Sequence, residues 1–202
     1  KREVTLTQTS GDENQFRLRL IGGIRLTLGH FEIGSPTWSE APHMVKGENV
    51  MLGLNYSDLW AWRGSPDRAL RIDTLKADVL DAYLERRKDG LASWQFANDE
   101  PSETPRPAPT FGLLTIKAGT IRYTDAPLNL NLTADLSLQE GETDEDALKV
   151  VAQGEYLNRK LNIDLRSTGV LPWVAQNVAP IPVDLNITLG TAKLGFKGEA
   201  TD

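Results

Sequence analysis

The sequence predicts an all-β protein with a few short helices, and three observations support this fold class. Apolar and polar residues alternate without a break over residues 128–138. Similar alternation recurs along most of the chain, and turn signals separate many of these segments. Successive side chains of a β-strand point to opposite faces, so each such segment has one apolar and one polar side. The short connections predict a largely antiparallel sheet.

Further strands are predicted wherever the alternation recurs. These segments are residues 16–20, 24–28, 50–56, 161–165, 183–189 and 194–196. Turns are predicted at Gly22-Gly23, at Gly119, at Asn158-Arg159 and at Gly190. Glycine and asparagine favour turns because they tolerate backbone conformations that other residues avoid.

Short helices are predicted in three places. One has Ser35 as its N-cap and Pro36 at its first position, the second begins with Ser57 as cap and ends at Gly64, and the third spans residues 170–178. Residues 74–86 are ambiguous, because their apolar side chains also fall at helical spacing, with Gly90 placed as a C-cap.

The chain divides at a proline-rich, polar stretch that predicts an exposed loop at residues 98–110. A lead-in of residues 1–16 precedes a first part at 17–97, and a second part follows at 111–202, with a sheet that can run through both. The acidic residues 140–147 predict a loop tip. Because the chain begins with "KREV" and ends within a strand pattern, we expect it to be a fragment of a longer protein.

Composition excludes several classes of protein. The 202 residues carry a net charge of −6, which argues against nucleic acid as a partner. With no cysteine, neither a disulfide framework nor a thiolate metal site can form. No apolar stretch is long enough for a transmembrane helix.

No catalytic, metal or cofactor site is predicted. The two histidines, His30 and His43, lack the spacing of metal ligands, and the acidic cluster of residues 142–146 lacks the pattern of a calcium loop. Asp81 and Glu85 could form a glycosidase pair, but any acidic protein supplies such pairs. The glycine-rich phosphate loop and the nucleophile elbow are both missing.

The apolar side of residues 128–138 must be covered, because burial of one leucine is worth roughly 1.5–3 kcal/mol. Two arrangements remain open on these grounds. Two sheets could close on each other as a sandwich, with the leucines in an ordinary core. Alternatively, one coiled sheet could fold into a groove whose inner face holds something apolar that is not protein.

Several stretches, in order, resemble the N-terminal domain of the AsmA family of bacterial envelope proteins. "LTLGHFEIGSPTWSEAPHMVKGENVMLGLNYSDLW" resembles the family's strand, turn and short helix, with Gly34, Pro36 and Trp38 matching. "LERRKDGLASWQF" resembles its aspartate-glycine and tryptophan stretch, and "IKAGTIRYTDAP" resembles a later turn. The matching residues of the last two stretches are Asp89, Gly90, Trp94, Phe96, Gly119, Tyr123 and Asp125. The likeness covers residues 17–202.

The resemblance implies a strongly coiled sheet that forms a groove-like half-barrel. It also implies that residues 74–86 are extended, and that Trp94 and Phe96 are packing residues. Ser93 departs from the family pattern, in which asparagine is usual. The loop after residue 61 is longer than the family's compact corner.

The function implied is that of a non-enzymatic periplasmic protein, anchored to the bacterial inner membrane by an N-terminal helix that this chain lacks. Its groove would hold or conduct phospholipid acyl chains between the two membranes, with envelope proteins as further partners. The lipid-binding residues expected are Leu128, Leu130, Leu132, Leu136, Leu138, Leu161, Ile163 and Leu165. The alternative is a structural module with a closed core that supports outer-membrane protein assembly.

Overall fold

The computed structural model describes residues 4–7, 16–65, 69–94, 110–139, 147–171, 174 and 180–201. Strands account for 67% of this part of the chain, and its one regular helix has 9 residues. The predicted all-β class is therefore confirmed. Alternating segments favour strands because each can bury one face while the other stays in water.

The structure has eleven strands and the helix α1. The first five strands and α1 are β1 (Val4–Thr7), β2 (Phe16–Arg19), β3 (Ile24–Ile33), β4 (Val45–Leu54), α1 (Tyr56–Gly64) and β5 (Arg71–Arg86). The others are β6 (Thr110–Asp125), β7 (Leu130–Gln139), β8 (Leu148–Tyr156), β9 (Arg159–Ser167), β10 (Ile181–Leu189) and β11 (Ala192–Ala200).

All eleven strands belong to one sheet, which is not closed into a barrel. From β3 to β11 the spatial order follows the chain order, and β1 and β2 both pair with β3. Every pairing is antiparallel except that of β5 with β6, which is parallel. This parallel pairing joins the two predicted parts of the chain into one sheet, and β6 begins at Thr110, the last residue of the predicted loop.

The ambiguous segment at residues 74–86 is extended, as the family resemblance implied, because it pairs with β4 on one side and β6 on the other. Its helical spacing has a structural cause. Ala77 and Leu80 are three residues apart and pair with Ile116 and Gly119 of β6, which are also three apart. The partners of Ile116 and Gly119 on β7, however, are only two residues apart. The strand alternation is thus broken by one extra residue, and the apolar positions shift toward a helical spacing.

Three local predictions were wrong. Residues around Ser35 and Pro36 form a single turn closed by a hydrogen bond from the Ser39 N–H to the Pro36 carbonyl, because Pro42 disfavours helical backbone at Ala41. Gly119 lies inside β6 at the bulge, not in a turn. Strand β7 begins at Leu130, because Asn129 has a positive φ of 48° and ends the preceding turn.

The other predicted helices had mixed outcomes. Helix α1 is confirmed, although its N-cap is Asn55, not Ser57. Of the helix predicted at residues 170–178, only Val170, Leu171 and Val174 lie within the described residues, and Val174 is helical. The acidic cluster at residues 142–146 and Phe96 lie outside them.

A line of buried side chains crosses the sheet from β3 to β10, and we call it the crease row. Its members are Leu28, Val50, Ala77, Ile116, Leu138, Leu148, Ser167 and Val183. Large side chains in the rows beside it are only half-buried. A single buried line flanked by half-buried rows is typical of a sheet that curves around that line, with its apolar side inward.

One end of the crease row is covered by the segment that follows β9. Leu138, Leu148 and Val170 form a buried cluster, against which Leu171 and Val174 pack. This cluster, which we call the sealed cluster, covers the crease row where it crosses β7 and β8.

Close contact between β7 and β8 gives the first testable prediction. A Cβ atom at Gly154 would overlap the main-chain oxygen of Asn131 on β7. Gly154→Ala should therefore force the strands apart and lower the free energy of unfolding by about 1–3 kcal/mol, measured by urea denaturation. The matched control is Gly195→Ala on β11, where the nearest atom is the Asn186 side-chain oxygen at 3.4 Å. Equal losses in the two variants would contradict the described register.

Candidate functional site

The pairing registers place apolar side chains on one face of the whole sheet, which we call the apolar face. Residues directly opposite each other in neighbouring strands have their side chains on the same face. One row of such residues runs unbroken across nine strands, from β3 to β11. This first cross-strand row consists of Ile33, Val45, Ala82, Ile121, Ala134, Ala152, Ile163, Ile187 and Leu194.

A second cross-strand row lies between the first row and the crease row. Its members are Phe31, Gly47, Leu80, Gly119, Leu136, Val150, Leu165, Leu185 and Phe196. Steric crowding explains why two positions of this row are glycine. A Cβ at Gly47 would overlap the ring of Phe31, and one at Gly119 would lie 2.9 Å from Cγ of Leu136. Both glycines therefore give room to a large neighbour on the same face.

The two rows together form an apolar strip across the sheet. Eight steps between neighbouring strands, at about 4.8 Å each, make it about 38 Å long. One leaflet of a bilayer has a hydrocarbon thickness of about 15 Å, half of the whole core. The strip is therefore longer than a single acyl chain in a membrane.

The residues expected to bind lipid lie on this face, with one exception. Leu136 and Leu165 belong to the second row and Ile163 to the first, while Leu132 and Leu161 both lie opposite Gly154. Leu130 is at the end of β7, opposite Tyr156. Leu138 is 3% exposed within the sealed cluster. Leu128 precedes the strand in a turn and is 44% exposed, so it does not continue the row.

Sequence reasoning missed the apolar residues of β3 to β6. Phe31, Leu80 and Ile121 occupy the same rows as the predicted leucines. An extra residue on each of these strands interrupts the alternation, since Asn49 has a positive φ of 49° and β6 has its bulge after Ile116. The signal that could have found them is a spacing of three residues between apolar positions. It recurs at paired positions of the neighbouring strands β3 to β6.

The opposite face of the sheet is polar. The hydroxyl of Thr120 donates to Asp135 at 2.8 Å, and the guanidinium of Arg122 donates to Asp81 at 2.5 Å. Nε2 of His43 lies 3.2 Å from the same Asp81 carboxylate. Asp81 is thus paired with Arg122, with His43 beside it, and does not form a free acid-base pair with Glu85.

A concavity of about 570 Å³ lies on this polar face, at the level of the β6 bulge. Its lining mixes charged residues and small apolar ones, including Val79, Asp81, Lys117, Arg122, Asp135 and Val151. The Asp81, Lys117 and Asp135 side chains are already paired, with Arg122, Asp78 and Thr120. These pairings make the lining a network that holds neighbouring strands together.

A charged cluster lies at the end of β5 and β6. The Asp125 carboxylate is fully buried and accepts hydrogen bonds from the Tyr123 hydroxyl at 2.6 Å, from the Arg86 guanidinium at 2.6 Å and from the Leu128 N–H at 3.0 Å. The ring of Trp94 lies 6.1 Å from that of Tyr123, so Trp94 packs as expected.

These contacts change the ionisation of the cluster. Burial raises the pKa of Asp125, but the hydrogen bonds from Tyr123, Arg86 and the Leu128 N–H outweigh it, and the pKa is lowered from its ordinary value. The pKa of Tyr123 is raised, by burial first and then by its hydrogen bond to the carboxylate. The cluster therefore holds a carboxylate and a neutral phenol at neutral pH.

Within the described residues, no three potential metal-binding side chains come together, and no helix is long and apolar enough to cross a membrane. Comparison with known proteins gives no relative, since no protein-family model, curated protein or solved structure matches the chain.

The lowered pKa of Asp125 predicts acid-dependent stability. Asp125→Asn should lower the free energy of unfolding at pH 7, because Arg86 loses its buried anion. The pKa of Asp125 is lower in the folded state than its unfolded value of about 3.9, so the ionised carboxylate stabilises the fold. This stabilisation is complete at pH values above the unfolded pKa and is lost as pH falls through the folded-state pKa. The difference between the wild type and Asp125→Asn should therefore shrink from pH 7 toward pH 2.

Urea denaturation at several pH values measures this difference. Asp135→Asn is the matched control, because Asp135 is exposed on the polar face and accepts a hydrogen bond from the neutral Thr120 hydroxyl. A difference for Asp125→Asn that stays constant down to pH 2 would contradict the assignment.

Proposed function

We propose that the apolar face is a lipid-holding groove that accommodates phospholipid acyl chains. The observation that carries the proposal is the pair of cross-strand rows, which stay apolar over nine strands of one sheet. Acyl chains need only non-directional apolar contact, and each buried CH₂ group contributes about 0.8 kcal/mol. A face built from leucine, isoleucine, valine and alanine supplies such contact.

The exposure of the side chains supports this proposal. Leu132, Ile163 and Leu185 are half-buried, whereas the leucines of the sealed cluster are buried. In a sandwich the facing sheet would bury all of them. Among the described strands there is no second sheet to cover this face, since all eleven belong to one sheet. The alternative, an assembly module with a closed core, therefore has less support.

The cellular setting follows from the resemblance to the AsmA family. In this proposal the chain is the periplasmic portion of a protein anchored to the bacterial inner membrane by a preceding helix, and it has no enzymatic activity. Its groove holds or conducts phospholipids between the two membranes of the cell envelope. The acyl chains lie along the two rows, and the headgroups remain in water on the open side of the sheet.

Paired aspartate substitutions on β7 test the groove. Leu132 and Leu138 share one strand and one face, but Leu138 is 3% exposed and Leu132 is half-buried. Leu138→Asp should unfold or severely destabilise the domain, because a buried unpaired charge costs several kcal/mol. Leu132→Asp should leave the fold intact, because water reaches the new carboxylate once lipid leaves.

Two measurements on each variant decide the outcome, namely thermal unfolding and the amount of phospholipid that co-purifies. Leu132→Asp should remain folded and should co-purify with less phospholipid than the wild type. Unfolding of both variants, together with no phospholipid on the wild-type protein, would show a sealed core and refute the groove.

A further inference from the structure

The most exposed apolar side chains of the described structure include a group at one corner of the sheet, where β2, the β2–β3 turn and α1 meet. We call this group the corner patch. It contains Leu18 at 53% exposure, Leu20 at 54%, Ile21 at 81%, Tyr56 at 42% and Trp60 at 70%. Scattered single apolar residues are normal on a protein surface, but a contiguous group of this kind marks an interaction site.

One hydrogen bond and the spacing of two aromatic residues on α1 bring the group together. The Tyr56 hydroxyl donates to the Leu20 carbonyl at 2.6 Å, which fixes the start of α1 against the turn. Trp60 follows Tyr56 by four residues, so both side chains lie on the same side of the helix. The helix buries none of its residues and therefore has an exposed aromatic side next to Leu20 and Ile21.

Three exposed arginines lie at the same corner. Arg19 of β2 and Arg25 of β3 lie directly opposite each other beside the β2–β3 turn, on the face of the sheet opposite to that of Leu18, and Arg63 is in the last turn of α1. Like charges directly opposite in a sheet destabilise it. None of these three arginines forms an ion pair with another described residue, so an external anionic surface would relieve their repulsion.

We infer that the corner patch docks on the surface of an anionic lipid bilayer. Exposed tryptophan, tyrosine and aliphatic side chains bordered by arginine are the composition that binds at the boundary between headgroups and acyl chains. The bilayer meets the end of the strands at the β2–β3 turn, so the aromatic and aliphatic side chains enter this boundary while the arginines at the same corner contact lipid phosphates. A nucleic acid fits poorly, because the exposed residues at the centre of the patch are apolar and the whole chain carries a net charge of −6.

The docked surface is continuous with the apolar face. Leu18 lies opposite Leu26, which is followed by Leu52, Leu75 and Leu114 on successive strands to β6. A bilayer that contacts the corner patch is therefore adjacent to one end of this leucine row. The docking itself does not depend on the proposed groove, because it rests on different residues.

Vesicle sedimentation with the 202-residue chain tests the docking. The vesicles are pure phosphatidylcholine, or an equal mixture of phosphatidylcholine and phosphatidylglycerol. The wild-type chain should bind the mixed vesicles and bind the neutral ones much more weakly. The double variant Ile21→Gln, Trp60→Gln should lose at least about tenfold in affinity for the mixed vesicles. Its control is Leu91→Gln, Leu157→Gln, which changes two exposed leucines at the opposite end of the strands.

A second pair of variants tests the arginines. Arg19→Gln with Arg25→Gln should weaken binding by about fivefold for each arginine, and added salt should remove this difference. Lys160→Gln with Lys193→Gln, two exposed cations at the other end of the strands, should leave binding unchanged.

Three results would overturn the inference. The first is no binding of the wild-type chain to mixed vesicles, and the second is an equal loss of vesicle affinity in the corner and control variants. The third is a change in oligomeric state when the corner variants are compared with the wild type without vesicles, which would assign the patch to a second copy of the chain. The groove is tested separately, because Leu132→Asp should bind vesicles as the wild type does. Vesicle binding by a chain that holds no phospholipid would support the docking and refute the groove.

Discussion

Direct lateral pairing between neighbouring strands is the interaction on which the apolar face depends. Opposite residues have side chains on one face, so an apolar row continues only while every pairing keeps its register. A shift of one residue between β8 and β9 would turn Ile163 and Leu165 toward the polar side. The two-residue turn between β8 and β9 helps to prevent such a shift. Leu157 and Asn158 both have positive φ, at 51° and 60°, which gives the turn the twist that matches two paired strands.

The bend across β3 to β6 gives this flat pattern its shape. One extra residue on each of these strands separates the crease row from the second cross-strand row, and the bulge after Ile116 adjusts β6 to the regular β7. Bulges increase the twist and curvature of a sheet. The same irregularity brings Gly47 and Gly119 beneath large neighbours. Over β3 to β6, the curvature of the sheet and the burial of the crease row therefore have one structural origin, whereas the segment after β9 covers the crease row on β7 and β8.

Much of this fold is predictable from alternation, because a strand with one apolar side has a regular signature. Residues 130–138 and 161–165 were assigned correctly on that basis. The bulged strands were not fully predictable, because one extra residue in β5 makes its apolar spacing resemble a helix. The parallel pairing of β5 with β6 and the ion pair of half-buried Arg86 with buried Asp125 depend on contacts distant in sequence, which no local pattern encodes. For the same reason, the rows that join the leucines of β7 to Phe31 and Leu185 emerge only from the pairing registers.

The central claim is that one face of the sheet contacts phospholipid acyl chains and the other does not. Ile163 and Asn162 are neighbours on β9 whose side chains lie on opposite faces. The most direct test places a photoreactive amino acid at each position in turn and identifies crosslinked phospholipid by mass spectrometry after expression in a bacterial periplasm. The account predicts phospholipid adducts at Ile163 and few at Asn162. Equal adducts at both positions, or none at Ile163 in a folded protein, would contradict it.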